Sequence, residues 1–454
     1  MLNVLPINFD PLRLHELNPE RYPYILESVA HGTEQSRFDI LFAFPQQSLR
    51  LDANKVLTGA HSDSTDFLSA LELWFKNERT PDNEDDATQH LPFTGGWFIY
   101  LAYEIAQEIE PGLHLPQATD GQTVAFASRC PAAVIRDHEL ELTYTFTEQD
   151  FSHYSQLIDD DIGNVINNTE AETHSAISRT SNTEEAAQNY LSSVEKIHQY
   201  IVDGDIFQVN LSREWNVKVD NEHCSTELYR NLRINNPAPF SGMAQLPDMT
   251  IISSSPERLV QLKGNTLETR PIAGTRPRSG DILEDQRLSD ELLAHPKEQA
   301  EHIMLIDLER NDIGRVCIPG SIEVNELMSL ESYQYVHHIV SNVKGTIRQG
   351  ITPVDIIKAV FPGGTITGCP KVRCMEIIAE LEQSPRGAYT GSMGYINKDG
   401  SMDLNILIRT LVVDKDEISI RAGAGIVHDS IAANELDETR IKARGLLQAL
   451  CITD

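Results

Sequence analysis

The chain has 454 residues, enough for two or three domains, and its 40% hydrophobic and 23% charged residues are typical of a globular protein with a buried core. The formal net charge of −31 disfavours nucleic acid and anionic membranes as partners, because both would repel the protein. The six cysteines are scattered without a CxxC pair or zinc-type histidine spacing, which favours a cytoplasmic location. The sequence has neither a signal-peptide pattern nor a run of eighteen apolar residues, so we expect neither export nor a membrane span.

The first third of the chain predicts short strands joined by turns. Strand patterns occur at 39–44, 95–106 and 140–146. Residues 159–186 are rich in Asp, Asn, Ser, Thr and Glu and contain few large apolar residues, which is typical of a surface connector. We therefore expect an N-terminal region at 1–158, a connector at 159–186 and a second region at 187–454.

The second region mixes strand and helix patterns without a strict alternation. Strand patterns occur at 249–255, 404–413 and 417–427, and a helical pattern occurs at 189–204. No internal repeat is visible. This mixture predicts a layered α+β or α/β architecture.

Two pairs of glutamates recur at helical spacing. Glu298 and Glu301 lie three positions apart in a segment with an apolar stripe, so both carboxylates fall on one helix face. Glu435 and Glu438 repeat this spacing, and Lys442 follows Glu438 by four positions. Two such pairs converging on one site would offer the hard oxygen ligands that Mg²⁺ prefers. From spacing alone, the alternative is two solvated helix faces with one ion pair.

Glycines, one arginine and one histidine are further candidates. The segments 361–371 and 421–427 carry glycines that would let backbone N–H groups approach an anion, or that serve backbone geometry alone. Arg409 lies in an apolar strand pattern, so it should meet a carboxylate of the protein or of a ligand. His338 lies beside an apolar run and is either a buried structural residue or a catalyst.

Seven segments occur in the order found in one known enzyme family. These segments are RPIAGTRPR (270–278), MLIDLERNDIGRV (304–316), HHIVSNVKG (337–345), GGTITGCPKVRCMEII (363–378), MDLNILIRT (402–410), AGAGIVHDS (422–430) and ELDETRIKA (435–443). They resemble the chorismate-utilising enzymes, specifically the large subunits of the aminating synthases. The resemblance covers roughly 190–450 and implies an α+β fold with a layered β-sandwich core and surrounding helices.

The resemblance implies a Mg²⁺ site. Carried over by position, Glu301 and Glu438 become the Mg²⁺ ligands, with Glu298 and Glu435 supporting them. The metal would then hold the ring carboxylate of chorismate. Because chorismate is a dianion, a bare pocket of four carboxylates would repel it, so the metal has to bind first.

The resemblance also implies contacts to the two carboxylates of chorismate. Tyr395 and Arg409 resemble the residues that hold the enolpyruvyl carboxylate. Gly423, Gly425 and Lys442 lie where the family binds the ring carboxylate. These assignments imply that the glycines at 421–427 serve ligand binding.

Three further positions bear on the reaction type. His338 resembles a histidine near the departing 4-hydroxyl group, and Thr365 lies in the loop beside it. Related enzymes that add water to chorismate carry a lysine base. The position of that lysine resembles Gln208 in this chain. An amide cannot deprotonate water, whereas neutral ammonia is already nucleophilic, so the resemblance favours an aminating enzyme.

Two aminating branches remain open. The segments at 205–213, 236–242 and 361–368 resemble the branch that makes 4-amino-4-deoxychorismate for 4-aminobenzoate and folate, which we favour. Ala273 and the ending ELDETRIKAR resemble the branch that makes anthranilate and pyruvate. The first branch has a lysine nucleophile where this chain has Ala273, so ammonia or water would have to add to the ring without it.

The resemblance also implies two binding partners. No glutaminase nucleophile segment occurs, so a separate glutamine amidotransferase subunit would supply the ammonia. Residues 22–45 resemble a segment that binds tryptophan in some family members. The alternative for that segment is a plain buried hairpin around Leu26 and Phe42.

Overall fold

The computed structural model describes residues 1–6, 9–30, 36–80, 88–167, 177, 179–220, 224–333 and 336–451. In these ranges two large sheets of antiparallel strands form the core, and helices surround them. This arrangement confirms the α+β expectation. Among the described helices, none is both long and apolar enough to cross a membrane.

The strands are short to medium in length. In chain order they are β1 (Leu2–Leu5), β2 (Tyr24–Glu27), β3 (Phe38–Ala43), β4 (Ser48–Asp52), β5 (Leu57–Gly59), β6 (Gly96–Leu101), β7 (Thr123–Cys130), β8 (Ala132–Asp137), β9 (Leu142–Thr147), β10 (Arg179–Glu184), β11 (Gln208–Val219), β12 (Phe240–Gln245), β13 (Thr250–Ser255), β14 (Arg258–Lys263), β15 (Thr266–Thr269), β16 (Ile272–Pro277), β17 (Glu323–Ser332), β18 (Val336–Thr346), β19 (Gly368–Cys369), β20 (Ser392–Asn397), β21 (Met402–Asn405), β22 (Thr410–Asp414) and β23 (Glu417–Ile426).

The helices lie around these strands. In chain order they are α1 (Leu12–Leu17), α2 (Phe67–Glu78), α3 (Ala106–Ile109), α4 (Tyr154–Asn167), α5 (Ala187–Val202), α6 (Ser225–Asn235), α7 (Ile282–Ala294), α8 (Pro296–Gly314), α9 (Pro353–Val360), α10 (Lys371–Glu382) and α11 (Ala432–Ala449). Helix α8 begins with Pro296, whose fixed φ suits the first helical position and whose missing N–H costs nothing there. Helices α8 and α11 confirm the two helical segments that carry the paired glutamates.

Both sheets combine strands from the two predicted regions. The first sheet has the order β1-β9-β8-β3-β2-β12-β13-β22-β23-β11-β10, with β19 also paired to β11. The second has the order β16-β18-β15-β14-β21-β20-β6-β7-β4-β5, with β17 also paired to β18. The N-terminal strands β2 and β6 therefore hydrogen-bond directly to β12 and β20 of the second region.

The structure differs from the predicted connector at 159–186. The segment begins inside α4, where Ile158, Ile162 and Val165 are buried, and it ends in strand β10. Residues 168–176 and 178 lie outside the described residues. Three apolar residues at helical spacing anchor α4, although its other positions are polar enough to suggest a connector.

The strand patterns at 39–44, 140–146, 249–255 and 417–427 are confirmed, but the pattern at 404–413 was wrong as a single strand. Strand β21 ends at Asn405 and β22 begins at Thr410, because the chain crosses there from the second sheet to the first. Ile406 and Leu407 are apolar because they are buried in the core at this crossing. Arg409 lies in the crossing with a φ of 55°.

Aromatic residues from both predicted regions share one apolar core. The ring of Phe98 stacks on Tyr24 with centroids 4.2 Å apart, and it meets Phe42 edge-on at 5.6 Å. Phe42 in turn lies 6.4 Å from the ring of Tyr395. The two regions should therefore unfold together.

We predict that Phe98→Ala lowers the free energy of unfolding by about 3–5 kcal/mol, because it leaves a cavity in this shared core. Urea unfolding followed by fluorescence should show one transition at a lower urea concentration. Phe207→Ala is the matched control, since Phe207 is 68% exposed. Two separate transitions in the wild-type protein would contradict the single shared core.

Candidate functional site

Helices α8 and α11 bring the four predicted glutamates to one place. Burial raises the pKa of Glu301, and the nearby carboxylates of Glu298 and Glu435 raise it further. Burial also raises the pKa of Glu435, and Glu438 adds to that effect. Carboxylates that influence one another in this way face a common cleft rather than two separate solvated surfaces.

Cations of the protein lie beside these carboxylates. Lys442 lies 2.6 Å from Glu438, Arg276 lies 3.2 Å from Glu298, and Lys297 lies 3.6 Å from Glu301. The described residues contain no group of three or more His, Cys, Asp or Glu side chains already arranged to hold a metal ion.

The chemistry of the cleft nevertheless fits a divalent cation. Within the described residues, Oε1 of Glu301 is buried and makes no hydrogen bond, and its cationic neighbour is Lys297 at 3.6 Å. A buried carboxylate oxygen held only by this long ion pair is a suitable ligand for a hard cation. Four carboxylates on two neighbouring helices supply such oxygens with the charge to match.

Arg409 supplies a second charge without a protein partner. Its guanidinium lies near Tyr389, Glu438 and Glu257, and burial lowers the pKa of Arg409. It forms no side-chain ion pair or hydrogen bond with any residue that the structure describes. Among the described residues, Glu438 and Glu257 therefore lie near Arg409 without forming an ion pair with it, so both alternatives for Arg409 stay open.

Tyr389, Gly423 and Lys442 meet beside Arg409. The hydroxyl group of Tyr389 donates to Oδ1 of Asn210 at 3.4 Å, and Lys442 donates to the carbonyl oxygen of Gly423 at 3.0 Å. A Cβ atom on Gly423 would lie 2.7 Å from both the Tyr389 hydroxyl and Asn210 Oδ1. Glycine is required there because β23 passes so close to these polar groups.

The structure corrects the assignment of Tyr395. Tyr395 lies on β20, where its ring packs 5.8 Å from Phe93, and it lines a separate cavity of about 680 Å³. Tyr389 is the tyrosine beside Arg409. Both tyrosines occur in the short segment AYTGSMGY. Tyr389 precedes β20 and lies beside Arg409, whereas Tyr395 lies within β20 and lines the separate cavity.

The separate cavity involves the predicted tryptophan-binding segment. Strands β2 and β3 form an antiparallel hairpin in which Leu26 pairs with Ile40, and both of these residues line the cavity. Glu27 also lines it, and burial raises the pKa of Glu27 to about 8. The segment is thus a buried hairpin and one wall of a cavity, while residues 31–35 lie outside the described residues.

His338 lies on β18 among groups of the same cleft. Its Nδ1 is 2.9 Å from Oγ1 of Thr275, and its ring meets that of Tyr333 edge-on. Burial, and then the positive charge of Arg409, lowers the pKa of His338 to about 4. The imidazole is therefore neutral at physiological pH.

Sequence reasoning missed Glu257, which the structure places between Arg409 and Thr365. Burial raises the pKa of Glu257 to about 7, against lowering contributions from the Thr365 hydroxyl and from Arg409. In the described structure, Oε1 of Glu257 and Oγ1 of Thr365 are both buried without a completed hydrogen bond. A carboxyl group with this pKa is suited to general acid catalysis near neutral pH. The available signal was a lone glutamate between two buried strands, β13 and β14.

Gln208 and Ala273 also lie at the cleft. A Cβ atom on Gly425 would lie 2.5 Å from Nε2 of Gln208, so the Gln208 amide covers that glycine. Ala273 is buried on β16, next to Gly274, where a Cβ atom would lie 2.8 Å from Oε2 of Glu298. The methyl group of Ala273 cannot act as a nucleophile in this position.

Comparisons with known proteins show the family to which the chain belongs. Residues 23–448 match the model of the family described as chorismate binding enzyme. The chain belongs to the chorismate-binding enzyme family. Family membership makes the cleft between α8, α11 and β23 the place to look for chorismate binding.

Relatives in this family carry two different names. An aminodeoxychorismate synthase component 1 from Bacillus subtilis is 41% identical over 96% of this chain and 93% of its own length. An anthranilate synthase component I-like protein from Synechocystis sp. is 44% identical over 83% of this chain and 78% of its own length. The crystal structure of anthranilate synthase component I from Streptococcus pneumoniae TIGR4 has a TM-score of 0.78 and 32% identity, covering 92% of this chain and 93% of that one.

We predict that Gly425→Ala lowers kcat/KM for chorismate by about 100-fold, because the new methyl group displaces the Gln208 amide by roughly 1 Å or more. The neighbour that must move is the end of a flexible side chain, so the protein should stay folded. Steady-state kinetics and a thermal melt would measure both effects. Gly112→Ala is the control, since a Cβ atom there meets nothing within 4 Å. Unchanged kinetics in Gly425→Ala would remove Gln208 from the site.

Proposed function

We propose that this enzyme uses ammonia to replace the 4-hydroxyl group of chorismate, giving 4-amino-4-deoxychorismate, at a Mg²⁺-dependent site. The observation that carries the proposal is the guanidinium of Arg409, which forms no ion pair with any described residue and lies near Glu438, one of four carboxylates grouped on α8 and α11. Such a cleft needs a ligand that brings both a cation for the glutamates and an anion for Arg409. A dianionic substrate bound together with a divalent metal meets both needs.

Glu301 and Glu438 are the proposed Mg²⁺ ligands, and Glu298 and Glu435 support them. When bound, Mg²⁺ would offset the charge of the ring carboxylate of chorismate and withdraw electron density from the ring. Glu438 is paired with Lys442, so its carboxylate has to exchange that lysine for the metal. The released lysine is then free to contact a substrate carboxylate.

The two carboxylates of chorismate bind at opposite sides of the cleft in this proposal. Arg409 and Tyr389 hold the enolpyruvyl carboxylate. Lys442 and the backbone at Gly423 and Gly425 hold the ring carboxylate. Glycine at both positions keeps β23 close enough for its backbone to make this contact.

Glu257 is the proposed acid for the departing hydroxyl group. Its raised pKa of about 7 leaves it roughly half protonated near pH 7, so it can protonate the oxygen as the carbon–oxygen bond breaks and release water. After the carbon–nitrogen bond forms, the new ammonium group returns one proton to Glu257. Thr365 and neutral His338 orient the hydroxyl group without adding charge.

Gln208 and Ala273 limit what can attack the ring. Neither side chain can deprotonate water or form a covalent adduct, so ammonia remains the nucleophile. Without a lysine at 273, a first ammonia has to add at ring carbon 2 as the 4-hydroxyl group leaves as water with the proton from Glu257. A second ammonia then adds at carbon 4 as the first ammonia leaves carbon 2. If the amine instead stays at ring carbon 2, the products would be anthranilate and pyruvate. This second candidate function is favoured by Ala273 and by the anthranilate synthase relatives.

Two partners complete the proposal. A glutamine amidotransferase subunit supplies ammonia, since the component I name of the relatives belongs to two-component enzymes. Tryptophan is the proposed occupant of the cavity beside β2, where Glu27 and Ser28 offer polar contacts within an apolar wall.

We predict that Glu301→Ala and Glu438→Ala each weaken Mg²⁺ binding at least tenfold and abolish chorismate turnover. Isothermal titration calorimetry with Mg²⁺ measures the binding directly. Asp437→Asn is the matched control, because Asp437 lies on the same helix and is exposed. Normal activity of wild-type protein in excess chelator would rule out the metal site.

The identity of the nitrogen donor and product can be measured in one assay. The isolated chain should convert chorismate with Mg²⁺ and ammonium but not with glutamine, because it carries no glutaminase segment. Mass spectrometry should find 4-amino-4-deoxychorismate. Fluorescent anthranilate with stoichiometric pyruvate would establish the second candidate function instead. Glutamine-dependent turnover by the pure chain would contradict the need for a partner subunit.

A further inference from the structure

Helix α8 carries a second acidic pair beyond the proposed metal ligands. Glu309 and Asp312 are 4% and 3% exposed, so both are withdrawn from solvent. Asp312 forms an ion pair with Lys371, which also donates to the carbonyl oxygen of Val360 at 3.1 Å. Among the described residues Glu309 forms no ion pair, and it is not one of the groups proposed to contact chorismate.

The carboxyl group of Glu309 holds a turn that belongs to the active site. Its Oε2 accepts a hydrogen bond from the hydroxyl group of Thr269 at 2.8 Å, and the backbone of Gly364 is a lowering influence on the pKa of Glu309. A Cβ atom on Gly364 would lie 3.2 Å from Oε1 of Glu309, which shows how closely the turn approaches. The next residue in this turn is Thr365, whose side chain faces Glu257.

We propose that Glu309 is a positioning residue for Glu257: its buried carboxyl group packs against the turn at Gly364–Ile366 and so keeps Thr365 facing Glu257. The inference deepens the proposed function and rests on the assigned role of Glu257 as the acid. Glu309 itself touches neither substrate nor reacting atoms in this account.

The charged groups around Glu309 and Glu257 determine the pKa values of both carboxyl groups. Burial raises the pKa of Glu309 to about 7, with Asp312 raising it further and Lys371 and Thr269 lowering it. Burial also raises the pKa of Glu257 to about 7, and the nearby carboxyl group of Glu309 raises it further. Thr365, the Ile272 N–H and Arg409 lower the pKa of Glu257. Lys371 and Arg409 thus face the pair from its two ends, and Arg315 acts on Asp312.

Two carboxyl groups that repel each other do not ionise together in the same pH range. When Glu309 is ionised, Glu257 keeps its proton to a higher pH and stays competent as an acid. Removing the charge of Glu309 lets Glu257 lose its proton earlier. The alkaline limit of the reaction should therefore depend on a residue that never contacts the substrate.

The decisive variant is Glu309→Gln, which keeps the size and one oxygen acceptor but removes the charge. We expect kcat relative to wild type to be near 1 at pH 6 and to fall about tenfold above pH 8.5, because one close like charge shifts a carboxyl pKa by roughly one unit. Taking the ratio at each pH cancels the changing fraction of free ammonia. The KM for chorismate should stay unchanged.

Asp307→Asn is the matched control, since Asp307 is an exposed carboxylate on the same helix. Its kcat ratio should be flat across the pH range. A flat ratio in Glu309→Gln as well would show a purely structural role and overturn the proposal. If Glu309→Gln does not fold, Thr269→Val provides the second test: losing that hydroxyl group disfavours ionised Glu309 and should shift the alkaline limit in the same direction.

A measurement without substrate separates this proposal from the proposed function. Infrared difference titration of the chain from pH 5 to 9 should show buried carboxyl protonation near pH 7 in the wild-type protein. In Glu309→Gln, one carboxyl group should be lost from the signal near pH 7 and the remaining component near pH 7 should titrate at lower pH, while the signal of Glu27 near pH 8 should not change. An unchanged remaining band would contradict the coupling even if chorismate is aminated. A shifted band with no amination would contradict the function alone.

Discussion

Repulsion between carboxylates that are held close together and partly out of water is the constraint on which this site depends. Glu298, Glu301, Glu435 and Glu438 come from two helices, and their mutual influence appears as raised pKa values for Glu301 and Glu435. Lys297, Arg276 and Lys442 offset part of this charge. The remaining repulsion between the carboxylates favours binding of a cation. In the proposed function, a metal and a dianion that bind together would relieve it.

The fold creates this demand by joining distant parts of the chain. The crossing from the second sheet to the first places Arg409 where no described carboxylate pairs with it. Strand β23 then leads directly into α11, which returns Glu438 and Lys442 to the same cleft. Helix α8 supplies the proposed metal ligand Glu301 and, about two turns later, Glu309. One helix thus links the metal side of the site to its acid side.

The sequence predicted those features that local periodicity encodes. Spacings of three and four residues determine which side chains share a helix face, so both glutamate pairs were found on α8 and α11. The strand patterns likewise located β3, β9, β13 and β23. The apolar run at 404–413 failed because a buried crossing and a buried strand have the same composition.

The remaining differences come from contacts between distant segments. Thr365 influences Glu257 from more than one hundred positions away, and no local pattern signals this contact. The choice between Tyr389 and Tyr395 depended on which of them lies within β20 and which precedes it. The start of the connector expected at 159–186 lies in α4, whose burial depends on surfaces outside its own segment.

The central claim is that the carboxylate cleft takes its metal and its dianion as one coupled unit. Calorimetry can measure the affinity for chorismate with and without Mg²⁺, and the affinity for Mg²⁺ with and without chorismate, in the absence of ammonium. The account predicts that each ligand tightens the other by the same factor, of about tenfold or more, as thermodynamic linkage requires. Equal chorismate affinity in saturating Mg²⁺ and in excess chelator would contradict it.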